Sequence, residues 1–410
     1  MRAGPVFLGI ALLIAAPARA EPVHGRAQLQ GVVAVDRADS VAASLDAKSR
    51  GDALGDFRLT WSPHAGKWSF DVAYEVSFDA GDTPRLTRAE ATLLPPAPPA
   101  SWLDLTDRIA DGKHFTATQR IDRLSVTYTS DHLVLRAGRQ ALSWGAGLVF
   151  HPMDLLDPFS PDATDTEYKP GADMLYAQYL LNDGSDLQAV IVPRPARSGG
   201  PLQRDASSFA LHGRTSLGRI DATALLARDH GDVTAGLGLA GPFGRANWSA
   251  ELVPTFVRNG GSYVSLLANV SNAGRLWGRD VSYFAEYYHN GFGSGGGRHT
   301  LAELPAPLVD RIRRGQLFDS GRDYLALGAQ FQWTPLLQLS PTAIANLGDG
   351  SLYLLCEANW SLAANLTLDV GAQLPIGSAG SEFGGIALSP VDPERLGPST
   401  RLYLQLRRYF

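Results

Sequence analysis

Residues 68–78 read WSFDVAYEVSF and decide the fold class, because apolar and polar side chains alternate along this stretch. The even positions, from Trp68 to Phe78, are all apolar or aromatic, and most odd positions are polar or charged. Successive side chains of a β-strand point to opposite faces, so this segment predicts a strand with one apolar and one polar face. A strand of a soluble β-sandwich shows the same alternation, so this segment alone does not distinguish an aqueous from a membrane setting.

The same alternation recurs along the rest of the chain. Further apolar stripes begin at Phe57, Leu124, Leu325, Leu366 and Leu402. Many strands of about 9–11 residues with this period of two are typical of transmembrane β-barrels. We therefore predict an all-β fold, a transmembrane antiparallel up-and-down β-barrel, over residues 21–410.

The connections between these strands alternate between short polar turns and long segments. The long segments cover about 79–119, 143–172, 290–322 and 377–398, and we expect them to be extracellular loops. Counting strands in both directions predicts about 18, and 16 is also allowed because residues 207–274 are rich in glycine and alanine. A barrel of this size encloses a water-filled lumen.

Composition excludes several classes of protein. The 410 residues include one cysteine, which rules out an internal disulfide framework and a multi-cysteine metal site. Acidic residues (41) outnumber basic ones (36), which argues against a nucleic-acid-binding protein. Ser294 is the nearest candidate for a hydrolase nucleophile, but it precedes a run of glycines too mobile to preorganise it. We expect no cofactor, no metal and no enzymatic activity.

The first 20 residues resemble a signal peptide more than a part of the fold. Arg2 supplies a positive charge, residues 6–16 are apolar, and Ala18-Arg19-Ala20 places small residues where a signal peptidase cleaves. The apolar run is shorter than the roughly 20 residues of a membrane-spanning helix. We therefore expect cleavage near Ala20 and a mature chain that starts near Glu21.

Two short motifs resemble known membrane barrels. Residues 402–410 alternate apolar side chains and end in Phe410, which is similar to the last strand of Gram-negative outer-membrane proteins. Gly138-Arg139-Gln140 followed by Trp144-Gly145 resembles a pattern in barrels of the porin and alginate-export type. The resemblance implies a location in the outer membrane, contacts with its lipid and lipopolysaccharide, and recognition of Phe410 by the barrel-assembly machinery. It indicates a substrate only weakly.

Charged side chains on the polar faces of the strands should line the lumen. They either set its selectivity or pair across it and hold its shape. Strict alternation turns Arg139 outward, but a bulge at Gly138 would turn it inward and avoid placing an arginine in lipid, so we predict the bulge. The predicted lumen residues are Arg58, Arg123, Arg136, Arg139, Arg401, Arg407, Asp71, Glu75 and Asp369.

The segment 144–169 mixes aromatic residues with carboxylates and prolines. We predict that it folds into the lumen and narrows the pore, and the alternative is an external loop packed on its neighbours. Three of its carboxylates could bind Ca²⁺, but their spacing lacks the glycine-containing pattern of a calcium loop. The predicted constriction residues are Trp144, Phe150, Asp154, Asp157, Asp162, Asp165 and Glu167.

The pattern as a whole predicts a porin-like channel for the passive passage of small polar or amphipathic solutes. Inward arginines, carboxylates and the 144–169 segment would set its selectivity. The alternative is a gated export or lipid-handling barrel that works with an inner-membrane pump. The solute, the direction of transport, and the choice between monomer and trimer stay open at this point.

Overall fold

The computed structural model describes residues 22–45, 48–97, 101–156, 158–196, 198–297 and 299–410. The predicted signal peptide and Asp157 lie outside these residues. The first eleven strands are β1 (His24–Val35), β2 (Ser49–Trp61), β3 (His64–Ala65), β4 (Trp68–Gly81), β5 (Thr106–Asp111), β6 (Phe115–Thr129), β7 (Leu133–Gln140), β8 (Ala172–Leu180), β9 (Asp186–Val192), β10 (Ser208–Leu217) and β11 (Ile220–Asp229). The later strands are β12 (Asp232–Phe243), β13 (Ala246–Phe256), β14 (Ser262–Leu276), β15 (Arg279–His289), β16 (Asp323–Thr334), β17 (Leu337–Asn346), β18 (Leu352–Ala363), β19 (Leu366–Ile376), β20 (Ile386–Ser389), β21 (Asp392–Leu396) and β22 (Thr400–Tyr409). The helices are α1 (Val41–Ser44), α2 (Thr83–Leu93) and α3 (Ala306–Arg313), with a 3₁₀ turn at Leu301–Glu303.

The long strands form one closed antiparallel barrel of 18 strands. Each strand pairs with the next barrel strand along the chain, and β22 closes the barrel by pairing with β1 from Arg26↔Tyr409 to Val35↔Thr400. The prediction of about 18 strands is confirmed, and the allowance for 16 is wrong. The four strands outside the barrel count are β3, β5, β20 and β21.

The alternation in the sequence becomes an outer apolar face and an inner polar face. On β1, Leu29 and Val33 are exposed outward, whereas Arg26 and Gln30 are buried inward. Exposed tryptophans form a girdle at the end of the barrel that carries the short turns, as interfacial aromatic residues do in membrane barrels. These residues are Trp61, Trp68, Trp277, Trp333 and Trp360.

The opposite end of the barrel carries the long connections. They cover 36–48, which contains α1; 82–114, which contains α2 and β5; 141–171; 193–207; 290–322, which contains α3; and 377–399, which contains the β20–β21 hairpin. One connection at this end is only two residues long. His230 and Gly231 have φ angles of 49° and 88°, and two successive positive φ values make the tight turn that joins β11 to β12.

The barrel wall is uneven. β7, β8 and β9 have 8, 9 and 7 residues, whereas β6 has 15. β7 pairs only with residues 124–129 of β6, at the short-turn end, and β5 pairs with residues 116–120, at the long-loop end. In the described ranges, none of the helices combines the length and the hydropathy needed to cross a membrane.

Candidate functional site

The 141–171 loop leaves the wall at the end of β7 and extends across the inside of the barrel. Its far anchor is Glu286 on β15, whose carboxylate accepts the backbone N–H groups of Leu148, Val149 and Phe150 at 2.6, 2.9 and 2.8 Å. Asn269 on β14 donates to the same carboxylate at 3.1 Å. Three successive N–H groups therefore bind one inward-facing charge on the opposite wall.

The beginning of the loop is held by a second glutamate and an aromatic pair. Glu251 on β13 accepts the backbone N–H of Ala146. The Trp144 indole donates to Gln188 at 2.8 Å, and its ring stacks on His212 of β10 with the centroids 5.3 Å apart. The loop thus contacts the inner face of β9, β10, β13 and β15.

The middle of the loop supplies apolar packing inside the barrel. Phe150 is 3% exposed, stacks on Tyr288 with the centroids 4.7 Å apart, and contacts Tyr324 in a tilted arrangement at 5.3 Å. Asp154 accepts from Lys169 at 2.6 Å, which ties the middle of the loop to its end. The loop is therefore packed along its length against the wall and against itself.

The last part of the loop binds the wall near the barrel closure. Arg26 on β1 forms ion pairs with Asp165 at 2.8 Å and with Glu167 at 3.0 Å, and Tyr409 donates to Glu167 at 2.8 Å. Burial by itself raises the pKa of Asp165, but the hydrogen bond and charge of Arg26 outweigh it and hold that pKa below its usual value. The backbone oxygen of Asp162 accepts from Gln373, and its side chain accepts from Ser160. Asp165 and Glu167 are thus occupied by an arginine.

Three long connections meet at a cluster of buried carboxylates. Glu382 accepts hydrogen bonds from the Ser320 N–H at 2.5 Å, the Tyr324 hydroxyl at 2.7 Å and the Asn346 amide at 2.7 Å. Asp319 lies beside it. Burial, followed by the charges of Glu382 and Asp162, raises the pKa of Asp319 well above its ordinary value. Burial also raises the pKa of Glu382.

Most of the predicted lumen arginines are paired with carboxylates on the wall. Arg58 is 2% exposed and bonds Glu75 at 2.9 Å and Asp122 at 2.6 Å. Arg120 bonds the other oxygen of Glu75 at 2.9 Å, and Arg123 bonds Asp122 at 2.7 Å. Asp122 points inward because it is the extra residue where the register between β4 and β6 shifts. The network joins β2, β4 and β6.

The remaining predicted lumen residues lie in different surroundings. Arg407 pairs with Asp369 on β19, and Asp71 accepts from Ser62 at 3.1 Å near a short turn. Arg136 donates to Thr127 at 2.9 Å. Arg401, among the described residues, has no carboxylate at ion-pair distance, and it lines a cavity of about 260 Å³ on the long-loop side of the 141–171 loop. Glu90 lines the same cavity.

The bulge predicted at Gly138 is wrong. The pairing of β6 with β7 runs without a register shift from Thr129↔Val134 to Leu124↔Arg139, so Arg139 keeps the outward orientation of its strand position. It is nevertheless only 4% exposed, because it bonds Asp173 at 2.8 Å and the backbone oxygen of Leu103 at 2.6 Å. The 82–114 connection covers this outward ion pair, so the charge of Arg139 is exposed neither to lipid nor to the lumen.

Phe410 lies at the seam that closes the barrel. Its backbone N–H and oxygen bond the oxygen and N–H of Gly25 at 3.0 and 2.7 Å. Its ring stacks on Phe57 with the centroids 5.7 Å apart. A Cβ atom on Gly25 would lie 2.2 Å from that ring, so the glycine provides the space the ring occupies.

Several important residues were not singled out from the sequence. Arg26, Asp122, Glu251 and Tyr168 all help to hold the loop or the wall. The Tyr168 ring lies between two guanidinium groups, 4.8 Å from that of Arg26 and 4.2 Å from that of Arg58. Arg26 and Glu251 follow the inward parity of their strands, so a complete listing of inward charges would have included them.

A second cavity lies on the short-turn side of the loop. It measures about 340 Å³ and is lined by Trp144, Ala146, Asp186, Arg214 and Asp221. Asp186 and Asp221 lie next to short turns. The loop therefore has polar cavities on both of its sides, facing opposite ends of the barrel.

The comparisons with known proteins agree with this geometry. No protein-family model and no curated protein sequence matches the chain. The structure is similar to Acinetobacter baumannii OccAB1, with a TM-score of 0.56, 10% identity, and coverage of 97% of this chain and 98% of that chain. Pseudomonas aeruginosa OccK9 (OpdG) gives 0.56 and 13% identity over 95% and 97% of the two chains.

A third similar structure is Pseudomonas aeruginosa OpdK with vanillate. Its TM-score is 0.50 and its identity 11%, with 95% of this chain and 98% of that chain covered. At these identities the similarity establishes the fold. This chain has the 18-stranded barrel fold of outer-membrane porins.

Proposed function

We propose that this chain is an outer-membrane channel through which small polar or amphipathic solutes diffuse passively, with the 141–171 loop as its constriction. The observation that carries the proposal is the attachment of the loop to Glu286. A charged acceptor binds three consecutive backbone N–H groups, and hydrogen bonds to charged groups are the stronger ones in proteins. Such an anchor holds a chain segment at a fixed place across a polar lumen.

The placement of charge supports a channel and assigns two different roles to its arginines. In the network around Arg58, that guanidinium group is buried and pairs with both Glu75 and Asp122, so the network holds the wall in shape. Arg401 lines an open cavity and has no carboxylate at ion-pair distance in the described part of the chain, so its charge acts on solutes. Fixed charges along a pore set its ion selectivity. OpdK, which was solved with vanillate, supports a small organic solute.

The location and assembly of the protein follow from the same proposal. We infer that cleavage near Ala20 releases a barrel that inserts into a Gram-negative outer membrane, where its apolar outer face contacts lipid and lipopolysaccharide. Phe410 would serve as the signal for the barrel-assembly machinery, and it also packs in the closing seam.

Swelling of proteoliposomes in isotonic solutions of neutral solutes of increasing size tests the channel. The purified chain, without a partner protein, should admit small solutes, and the rate should fall steeply with solute size. Deletion of residues 148–165 should raise the size limit. A folded barrel that admits no solute would refute passive passage and favour the export alternative, which requires a periplasmic partner.

A further inference from the structure

A separate cavity of about 250 Å³ lies at the long-loop end of the barrel. Four connections and the β11–β12 turn enclose it, and it shares no lining residue with the Arg401 cavity. Its basic lining residues are Arg194, His230, Arg313 and Arg314. Asp173 is its acidic lining residue, and that carboxylate is held by Arg139 at 2.8 Å.

The carboxylates next to this cavity are also paired with arginines. Asp229 pairs with Arg194 at 3.3 Å and accepts from Gln316 at 2.7 Å. Asp232 pairs with Arg311 of α3 at 2.7 Å. Each of these acids therefore balances a guanidinium group other than Arg313 and Arg314.

Arg313 and Arg314 have no carboxylate partner among the described residues. Arg313 donates to the backbone oxygen of Pro95 at 2.7 Å. Nη1 of Arg314 is buried and finds no hydrogen-bond partner in the described part of the chain. The charge of Arg314 also acts on its neighbours Arg311 and His230, because it contributes to lowering the pKa of each. A buried donor without a partner is costly, and here it points to a missing acceptor.

His230 adds no charge to the cavity at neutral pH. Burial is the main cause that lowers its pKa to about 4, and Arg194 and Arg314 lower it further against the opposing charges of Asp229 and Asp232. The uncompensated charge of the cavity therefore comes from two guanidinium groups, which are adjacent in the chain at the end of α3.

We propose that this cavity binds a phosphate-type dianion through Arg313 and Arg314. A phosphate monoester carries about −1.5 to −2 charges at neutral pH, so it matches two uncompensated arginines, whereas one carboxylate would neutralise a single arginine. The several oxygens of a phosphate group can also accept paired hydrogen bonds from the N–H donors of a guanidinium group. The site goes beyond the proposed channel, because it can bind whether or not the lumen conducts.

The phosphoryl group has two possible sources. It belongs either to a soluble phosphorylated compound that enters from the long-loop end, or to the phosphate of a lipid A headgroup in the surrounding leaflet. The alternative explanation of the arginines is that they only balance the negative end of the α3 dipole. That explanation predicts no specific phosphate binding.

Titration calorimetry of the refolded full chain, in a detergent without phosphate, tests the site with inorganic phosphate at pH 7. We expect saturable binding that weakens at least tenfold in Arg314→Gln and in Arg313→Gln. Arg37→Gln is the matched control, because it removes the same charge from an exposed residue at the same end of the barrel, and its binding should equal that of the unaltered chain. Heat-modifiable mobility on gels verifies that each variant is folded, and Arg313→Gln keeps the test usable if Arg314→Gln does not fold.

Two further titrations identify the class and the source of the ligand. Acetate should bind at least tenfold more weakly than phosphate, and equal binding would overturn the dianion assignment. Binding of lipid A, lost on removal of its phosphates, would support the site with a lipid as its source, whereas binding of free phosphate supports a soluble ligand. If neither phosphate nor lipid A binds a folded chain, or if Arg314→Gln changes nothing, the site is refuted without consequence for the channel.

Discussion

The anchor of the loop at Glu286 gives the sharpest prediction. Glu286→Gln keeps one acceptor oxygen and replaces the other with an amide that cannot accept from Leu148, Val149 or Phe150. Each bond to the charged form contributes about 1.5–3 kcal/mol, so loss of half of the anchor costs the docked loop about 3 kcal/mol. That free energy corresponds to a factor of about 100 in the ratio of docked to undocked loop.

Single-channel recording measures this effect directly. An undocked loop should produce rapid current fluctuations within the open level and a larger mean conductance. Glu357→Gln is the matched control, because it removes the same charge from the lumen while its hydrogen bond goes to Tyr403 rather than to the loop. If Glu286→Gln records are as quiet as those of the unaltered chain and of Glu357→Gln, Glu286 does not hold the loop.

Four further predictions concern charge and closure. Arg401→Gln should shift the reversal potential in a salt gradient towards cations without lowering the melting temperature, whereas Arg58→Gln should lower stability by about 3 kcal/mol because it leaves Glu75 and Asp122 buried with fewer partners. Asp319 has a raised pKa, so its stabilising effect is complete below the ordinary aspartate value near about 4 and is lost as pH rises through the raised value. The melting temperature should therefore fall with rising pH, and Asp319→Asn should flatten this dependence while Asp205→Asn, on an exposed ion pair, should not. Phe410→Ala should destabilise the closing seam by about 1 kcal/mol through loss of the stack on Phe57, seen in denaturant titrations beside Phe243→Ala, an exposed outward phenylalanine outside the seam.

The fold could be predicted because the physical cause of a membrane barrel is local. The stripe from Trp68 to Phe78 lies within β4, and the residues of the predicted 290–322 connection separate β15 from β16. Alternation reports which face meets lipid, residue by residue, so no knowledge of distant contacts is needed.

The error at Arg139 and the unrecognised anchors of the loop concern features that depend on distant segments. An outward arginine is costly in lipid, which favours a bulge, but the backbone at Leu103 covers Arg139, and the chain separation between these residues hides this contact from any local pattern. The register shift of this wall lies instead at Asp122, and there the sequence carries a local sign, because the apolar positions of β6 change from odd numbers up to Ile121 to even numbers from Leu124. The partners of the 141–171 loop, Glu286 above all, were visible as inward charges but not as its anchors.

Single-channel conductance of the refolded chain, residues 21–410, in a planar bilayer tests the central claim most directly. The account predicts discrete current steps in the absence of any partner protein, with a larger step when residues 148–165 are deleted. A barrel that is folded by heat-modifiable mobility but silent in the bilayer would contradict it.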